Sequence, residues 1–269
     1  WILRIPILIH EQNSIPGLTN KWLGKIADKV AVSFKDSAKY FLKEKVEVTG
    51  NMIREEICQS REEVSRGPRG LFRVLVLGGS QGAHSINLAM MDALESLASK
   101  RGNIHITHQT VESDYEMVKQ KYEASDLSHD IRPFIDDMAE QYRKASLVVC
   151  RAGATTLAEV TACGKVSVLI PYPHAAHNHQ EKNAQILNSA NAGELVLDRE
   201  LSGPRIAQSI IGAMEDPERL KEMEKNSYQL GNRDATEKVR QICMELLEDA
   251  NGKSGRAGKT QGEYVLSCF

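Results

Sequence analysis

Four stretches of the chain put polar or glycine-rich residues directly after short apolar runs, where a strand would end and a ligand could be met. The first is His10-Glu-Gln-Asn13, after Ile5 to Ile9. Asn13 can donate and accept, which suits an acetamido or hydroxyl group, although a plain polar turn would read the same way. The second is Gly78-Gly-Ser-Gln-Gly82, between the run Arg73 to Leu77 and a helical pattern. Gly78, Gly79 and Gly82 would let the backbone turn sharply and approach a ligand. Free N–H groups at the helix start would attract phosphate, and Ser80 would add a hydroxyl. A turn that needs glycine for geometry alone is the other reading. The segment is neither G-x-G-x-x-G nor the Lys-bearing P-loop, so nicotinamide and ATP lose ground.

The third stretch is Arg151-Ala-Gly-Ala-Thr-Thr-Leu-Ala-Glu159, again between a strand-like run and a helix. The amides of Ala154, Thr155 and Thr156 would face a diphosphate. Glu159, one turn into the helix, would either complement the helix dipole or accept hydrogen bonds from ribose hydroxyls. The fourth is the loop Pro171 to Gln180. Its His174, His177 and His179 tempt a zinc reading, but no carboxylate lies in the loop and the spacing fits no standard helical His motif. Gln180 and Asn183 suit sugar hydroxyls better, with a polar helix-start loop as the alternative. No nucleophilic triad is deducible at recognisable spacing, and Asp136-Asp137 reads as the start of a solvated helix.

These stretches need a scaffold. The 269 residues are 41% apolar and 26% charged, with a formal net charge of -2, enough for one large or two modest cores. That balance offers no electrostatic footprint for nucleic acid. No apolar run reaches the roughly 18 residues of a membrane span, and the opening lacks the form of a signal peptide. The five scattered cysteines read as reduced residues, without a disulfide or zinc framework.

Strand-like and helical patterns alternate almost throughout. Strands are expected at Ile5 to Ile9, Val30 to Val32, Val46 to Val48, Arg73 to Leu77, Ile104 to Thr107, Ile131 to Phe134, Leu147 to Cys150, Val166 to Ile170 and Leu195 to Leu197. Single helices between strands imply parallel pairing with right-handed crossovers, hence a doubly wound α/β fold. A short helix is expected near Asp36 to Leu42. Glu55 to Gly70 loses periodicity and reads as a linker between two Rossmann-like domains. Asn251 to Gly262 is expected to be disordered. The chain begins on Trp1 with a strand-like run and no lead-in, which reads as a chain whose beginning is missing.

Taken in order, HEQNSIPGLTNKWL (His10 to Leu23), GNMIR (Gly50 to Arg54), GGSQGA (Gly78 to Ala83), FIDDM (Phe134 to Met138), CRAGATTLAE (Cys150 to Glu159) and HQEKNA (His179 to Ala184) resemble the peptidoglycan glycosyltransferase family commonly called MurG. The resemblance runs from about residue 5 to residue 248. It implies a GT-B fold: a partial amino-terminal, acceptor-side domain over residues 1–52, a UDP-sugar-binding domain over 53–233, a helix over 234–249 returning to the first domain, and a tail over 250–269.

The implied reaction is inverting transfer of N-acetylglucosamine from UDP-N-acetylglucosamine to lipid I, the undecaprenyl-linked acceptor. It needs no cofactor or metal and takes place at the cytoplasmic face of the bacterial membrane, with the protein held peripherally on the inner-membrane surface. Carried over, Ser80 and its glycines contact the diphosphate, as does the helix opening at Ala154 to Thr156, and Leu157 and Ala158 of the same helix are counted among the substrate-binding residues. Ile135 holds the uracil through its backbone, Glu159 the ribose and Gln180 the sugar hydroxyls. Asn13 and Arg54 reach the donor from the other domain and the hinge.

The chain departs from the family at Met52, where proline is usual. The family's first glycine-rich loop, with a candidate catalytic His, should precede residue 1. The general base would come from that segment or from His10 or Glu11. A module that binds the UDP sugar without transferring it, and a UDP-sugar epimerase of related fold, are the alternatives.

Overall fold

The structure, a computed structural model, describes residues 5–59, 71–79 and 83–254. Two parallel sheets organise it. The first has three strands, β1 (Leu8–Glu11), β2 (Lys29–Val32) and β3 (Val46–Val48), in the order β1-β2-β3, with helix α1 (Leu18–Ile26) crossing from β1 to β2. A small core of Ile9, Ala27, Val30 and Val32 lies beneath α1, with Phe41 packed against it. Between β2 and β3 the expected short helix is present as 3₁₀ turns at Lys35–Tyr40 and Lys43–Lys45.

The chain then crosses through Gly50 and Asn51 into helix α2 (Glu55–Gln59). This corrects the linker expected from Glu55 onward. Ile57 is fully buried in the same core as Tyr142 and Leu157, and Glu55 and Glu56 suit the positive end of the short helix. The remainder of that linker, 60–70, lies outside the described residues.

The second sheet follows from strictly alternating elements: β4 (Phe72–Leu77), α3 (His84–Leu97), β5 (Ile104–Gln109), α4 (Glu112–Glu123), β6 (Ser128–Arg132), α5 (Met138–Lys144), β7 (Leu147–Cys150), α6 (Ala154–Ala162), β8 (Ser167–Leu169), α7 (His179–Ser189) and β9 (Gly193–Leu195). Helices α8 (Gly203–Glu215), α9 (Pro217–Leu230) and α10 (Ala235–Ser254) complete it. Strand β6 starts three residues before the expected Ile131, paired with β5 from Ser128 onward. The last helix runs into the expected tail as far as Ser254.

The strand order is β6-β5-β4-β7-β8-β9, all parallel. This is the doubly wound order, with its switch point between β4 and β7. Val74 and Val76 of β4 enter one core with Ile86, Met90 and Ile206, while Leu75 and Leu77 enter the other with Tyr142, Leu157 and Leu187. A segment buried on both faces in this way must be apolar, which is why Val74 to Leu77 reads as a continuous run.

Two chain crossings join the sheets, and they touch. Gly50 has φ +88°, and a Cβ there would fall 2.3 Å from Cβ of Asn232, on the returning segment. Beyond it Thr236 Oγ1 donates to the Ile53 carbonyl, and the carboxylates of Glu245 and Asp249 on α10 act on Lys29 of β2.

Candidate functional site

The β4 and β7 carboxyl ends are neighbours at the switch point, so Gly78 and Gly79 lie beside the turn Arg151 to Gly153. The topology thus brings the second and third candidate stretches together. Ser80 and Gly82 lie outside the described residues. Gly153 is the extended N-cap of α6, and no side chain among the described residues caps it. The first amides of α6 therefore keep their donors for a ligand. Thr155 adds a hydroxyl whose oxygen accepts from Asn51 Nδ2 at 3.3 Å, leaving its own proton to be donated outward.

One turn along α6, Glu159 sits between two donors. Tyr142 Oη, fully buried on α5, donates to its Oε2 at 3.1 Å, and Arg54 Nη2 stands 3.7 Å from Oε1. Burial pushes the Glu159 carboxyl above its ordinary 4.5, opposed by Tyr142 and Arg54. Arg54 is half exposed. The pair therefore links the first crossing to the second sheet while leaving the guanidinium accessible. One carboxylate oxygen is thus fixed by a buried phenol, while the other faces a guanidinium.

Leu157 is buried and Ala158 half-buried on α6. Ile135 is buried at the loop before α5 beside the exposed Phe134. Gln180, in the first turn of α7, accepts from the Tyr172 N–H at 2.9 Å through Oε1, which ties the helix start to the loop before it. His177 and Asn178 in that loop take positive φ, so their side chains are set by an unusual backbone turn. Among the described residues no cluster of three or more His, Cys, Asp or Glu is placed to hold a metal.

The first candidate stretch faces this site across the sheets. Glu11 is 2% exposed, and its carboxylate accepts from the Asn13 and Gly17 amides at 2.9 and 3.3 Å and from Asn20 Nδ2 at 2.9 Å. It builds the loop that carries Asn13, so a role as general base does not fit its surroundings. His10 donates from Nε2 to the Gly50 carbonyl at 3.0 Å, with its Nδ1 buried, and burial lowers its pKa. It too is spent on holding the crossing in place.

Asn183 is where sequence reasoning misplaced a residue. It is fully buried: Oδ1 accepts from the Ser14 N–H at 3.0 Å, and Nδ2 faces Asn13 Oδ1 at 3.3 Å and the Ala152 carbonyl at 3.5 Å. A saturated amide cannot serve sugar hydroxyls; it fastens the first stretch to the third. Two other residues went unnoticed. Arg151, with its side chain 12% exposed, donates to the Ile170 and Pro171 carbonyls, to Asp198 and to Ser85, and so anchors the fourth stretch to the sheet. Tyr142 sits mid-helix with no local signal beyond its aromatic ring.

Residues 73–239 match the model of the glycosyltransferase family 28 C-terminal domain, and residues 1–32 that of the N-terminal domain. A Geobacter sulfurreducens protein named UDP-N-acetylglucosamine--N-acetylmuramyl-(pentapeptide) pyrophosphoryl-undecaprenol N-acetylglucosamine transferase is 48% identical over 239 residues. The alignment covers 88% of this chain but 66% of that protein, so the chain spans just under two thirds of its relative's length. The crystal structure of MurG from Acinetobacter baumannii superposes with a TM-score of 0.75 at 29% identity, over 91% of this chain and 69% of that one. A Neisseria meningitidis UDP-GlcNAc 2-epimerase, solved bound to UDP-GlcNAc, has the same fold at a TM-score of 0.64 and 14% identity, covering 92% of this chain and 70% of its own. With these matches and the two parallel sheets, the chain belongs to glycosyltransferase family 28 and has the GT-B fold of its MurG members.

Proposed function

We propose that this chain binds UDP-N-acetylglucosamine in the crevice between the two sheets, and that the whole protein of which such a chain is part transfers the sugar to lipid I. The carrying observation is Glu159, held at the switch point by Tyr142 and faced by Arg54, one turn from the uncapped start of α6. In this reading the α6 amides at Ala154 to Thr156, the two threonine hydroxyls and Gly78 and Gly79 take the diphosphate, with Ser80 and Gly82 completing the loop. Leu157 and Ala158 form the turn beneath, Glu159 accepts from the ribose, and the Ile135 backbone pairs with uracil. Gln180, Asn13 and Arg54 address the sugar and diphosphate from the sides.

The chemistry asked of these groups is stabilisation of a leaving group. As the anomeric carbon–oxygen bond breaks, negative charge grows on UDP, and fixed donors at a helix start stabilise it without reorganising. The acceptor 4-hydroxyl forms the new bond on the opposite face of the sugar and gives its proton to a base, which is assigned neither to Glu11 nor to His10. The acceptor is proposed to reach the site from a membrane surface at the cytoplasmic face. No helix among the described residues is long and apolar enough to cross a membrane.

Calorimetry with UDP-N-acetylglucosamine and with NADH tests the donor reading. Saturable binding of the first and none of the second supports it; failure to bind any uridine diphosphate overturns it. Transfer of labelled sugar to a lipid I analogue by the whole protein tests the reaction. Turnover of the donor to its 2-epimer, with no transfer, would overturn it in favour of an epimerase.

A further inference from the structure

The loop from Pro133 to Asp136 carries Ile135 between the end of β6 and the start of α5. Phe134 is exposed and Ile135 buried. Among the described residues, no backbone group from Phe134 to Asp136 has a hydrogen-bond partner. The position of the loop is therefore set by the Ile135 side chain and by what holds its two ends.

The first end is tied through the backbone. Thr110 N–H donates to the Arg132 carbonyl at 3.0 Å, and Val111 N–H donates to the Pro133 carbonyl at 3.1 Å. Val111 makes its bond at a φ of +70°, a region unfavourable to a β-branched residue, so the fold accepts strain there. Side chains then close the loop. Arg132 Nη1 donates to Asp137 Oδ1 at 2.7 Å, and Gln141 Nε2 donates to Asp137 Oδ2, also at 2.7 Å. Arg132 is itself oriented from its own strand, with Nε and Nη2 on Asp130 Oδ2 at 2.9 and 2.6 Å. Gln141 foremost, and Arg132 with it, holds the Asp137 carboxyl below its ordinary 3.8, so it stays charged.

These ion pairs are half-exposed, and such pairs add little to stability. What a guanidinium fork held by two carboxylates supplies is fixed geometry, here the separation of the two loop ends. Helix α5 carries that geometry onward. Its Tyr142, next to Gln141, donates to Glu159 Oε2 at 3.1 Å.

We propose that Arg132 and Asp137 are positioning residues for base selection, holding the Ile135 backbone in the register that fits uracil rather than cytosine. The inference rests on the reading in which that backbone pairs with the base and Glu159 holds the ribose. One N–H and one C=O match uracil through its N3–H and a flanking carbonyl. Shifted by one position along the base edge, they match the N4 amine and N3 of cytosine equally well. The donor and acceptor alone do not choose between the bases. Their distance from the ribose site does, and α5 sets it.

Calorimetric titration of the chain with UDP and with CDP tests this. The parent should prefer UDP. Arg132→Met and Asp137→Asn should each cut that preference about five- to tenfold, the scale of one hydrogen bond. Arg101→Met removes an exposed pair with Asp126 at the amino ends of β5 and β6, and as the control should leave the preference unchanged. Loop variants that keep the parent's preference, whether they weaken both ligands equally or neither, overturn the proposal and leave the donor reading standing. A control that flattens the preference as much as they do overturns it too. A parent that binds UDP and CDP alike, or neither, removes the reading of Ile135 and this inference with it.

Discussion

Ser14 and Asn183 lie 169 positions apart and are joined by a buried 3.0 Å hydrogen bond, the amide N–H of the first donating to Oδ1 of the second. Through it the loop after β1 is fastened to α7, and Asn13 is held over the crevice by the same amide. Asn183→Leu keeps the volume but leaves the Ser14 N–H buried without a partner. Urea denaturation should show a loss of about 1–3 kcal/mol. Affinity for UDP-N-acetylglucosamine should fall as well, because Asn13 loses its support. A variant as stable as the parent would show that the two sheets do not depend on this bond.

Glu159 gives a prediction of opposite sign for stability and binding. Its folded pKa is raised above 4.5 by burial, so the fold favours the protonated carboxyl. A raised pKa contributes stability that is full below the unfolded value and lost as pH rises through the folded one. Glu159→Gln removes that loss, so the variant should melt higher than the parent at neutral pH. The gain should shrink as pH falls through the raised folded pKa and be gone below about 4.5. Its affinity for UDP should drop roughly tenfold, the scale of one lost charge-assisted hydrogen bond. Its preference for UDP over 2′-deoxy-UDP should flatten. Parallel thermal melts and calorimetry across pH check both halves.

The doubly wound fold was legible because Val74 to Leu77 of β4, β7 and the Val168-Leu169 end of β8 are buried on both faces and apolar, whereas helices such as α3 show a single stripe. The glycine and threonine turns at the switch point were legible for a related reason: backbone geometry there demands particular residues. What stayed hidden depends on tertiary partners. Asn183 and Gln180 look alike in the sequence, yet one is saturated by Ser14 and Asn13 and the other lies at a helix start. Glu11 resembles a free carboxylate until the turn after β1 folds three donors onto it from Asn13, Gly17 and Asn20. Glu55–Gln59 reads as linker because its one core residue, Ile57, cannot generate a period.

His108 sets part of the acid limit of the fold. It is fully buried on β5, between Tyr122 Oη at 3.2 Å from Nδ1 and Asn87 Oδ1 at 2.9 Å from Nε2. Since the Asn87 oxygen can only accept, the ring is neutral with its proton on Nε2, and burial lowers its pKa to about 3. A depressed histidine pKa contributes stability that is present above the unfolded value of 6.5 and lost as pH falls toward the folded one. The full loss would approach about 4 kcal/mol by pH 3. His108→Gln can still donate to Asn87, and its stability should fall less steeply between pH 6 and 4. Equilibrium unfolding at several pH values measures the slope, and parallel curves for the two proteins would show that His108 does not set it.

Gly50 and Asn232 make the contact on which the two crossings bear. At Gly50 two penalties coincide for any other residue, a positive φ of +88° and a Cβ placed 2.3 Å from the Asn232 Cβ. Gly50→Ala should therefore cost more than the about 1 kcal/mol of left-handed backbone alone. It should also disturb His10, whose Nε2 is held by the Gly50 carbonyl. Asn232→Gly removes the atoms that the new methyl would strike but leaves the φ penalty. In a double-mutant cycle the pair should thus be less destabilised than the sum of the singles, with the residual matching the backbone term. Strict additivity would place the cost of Gly50→Ala wholly in its dihedral and show that the crossings move apart freely. A large coupling, together with a weaker UDP-N-acetylglucosamine affinity in Gly50→Ala that Asn232→Gly restores, would show that close approach of these two segments sets the angle at which the sheets meet over the donor.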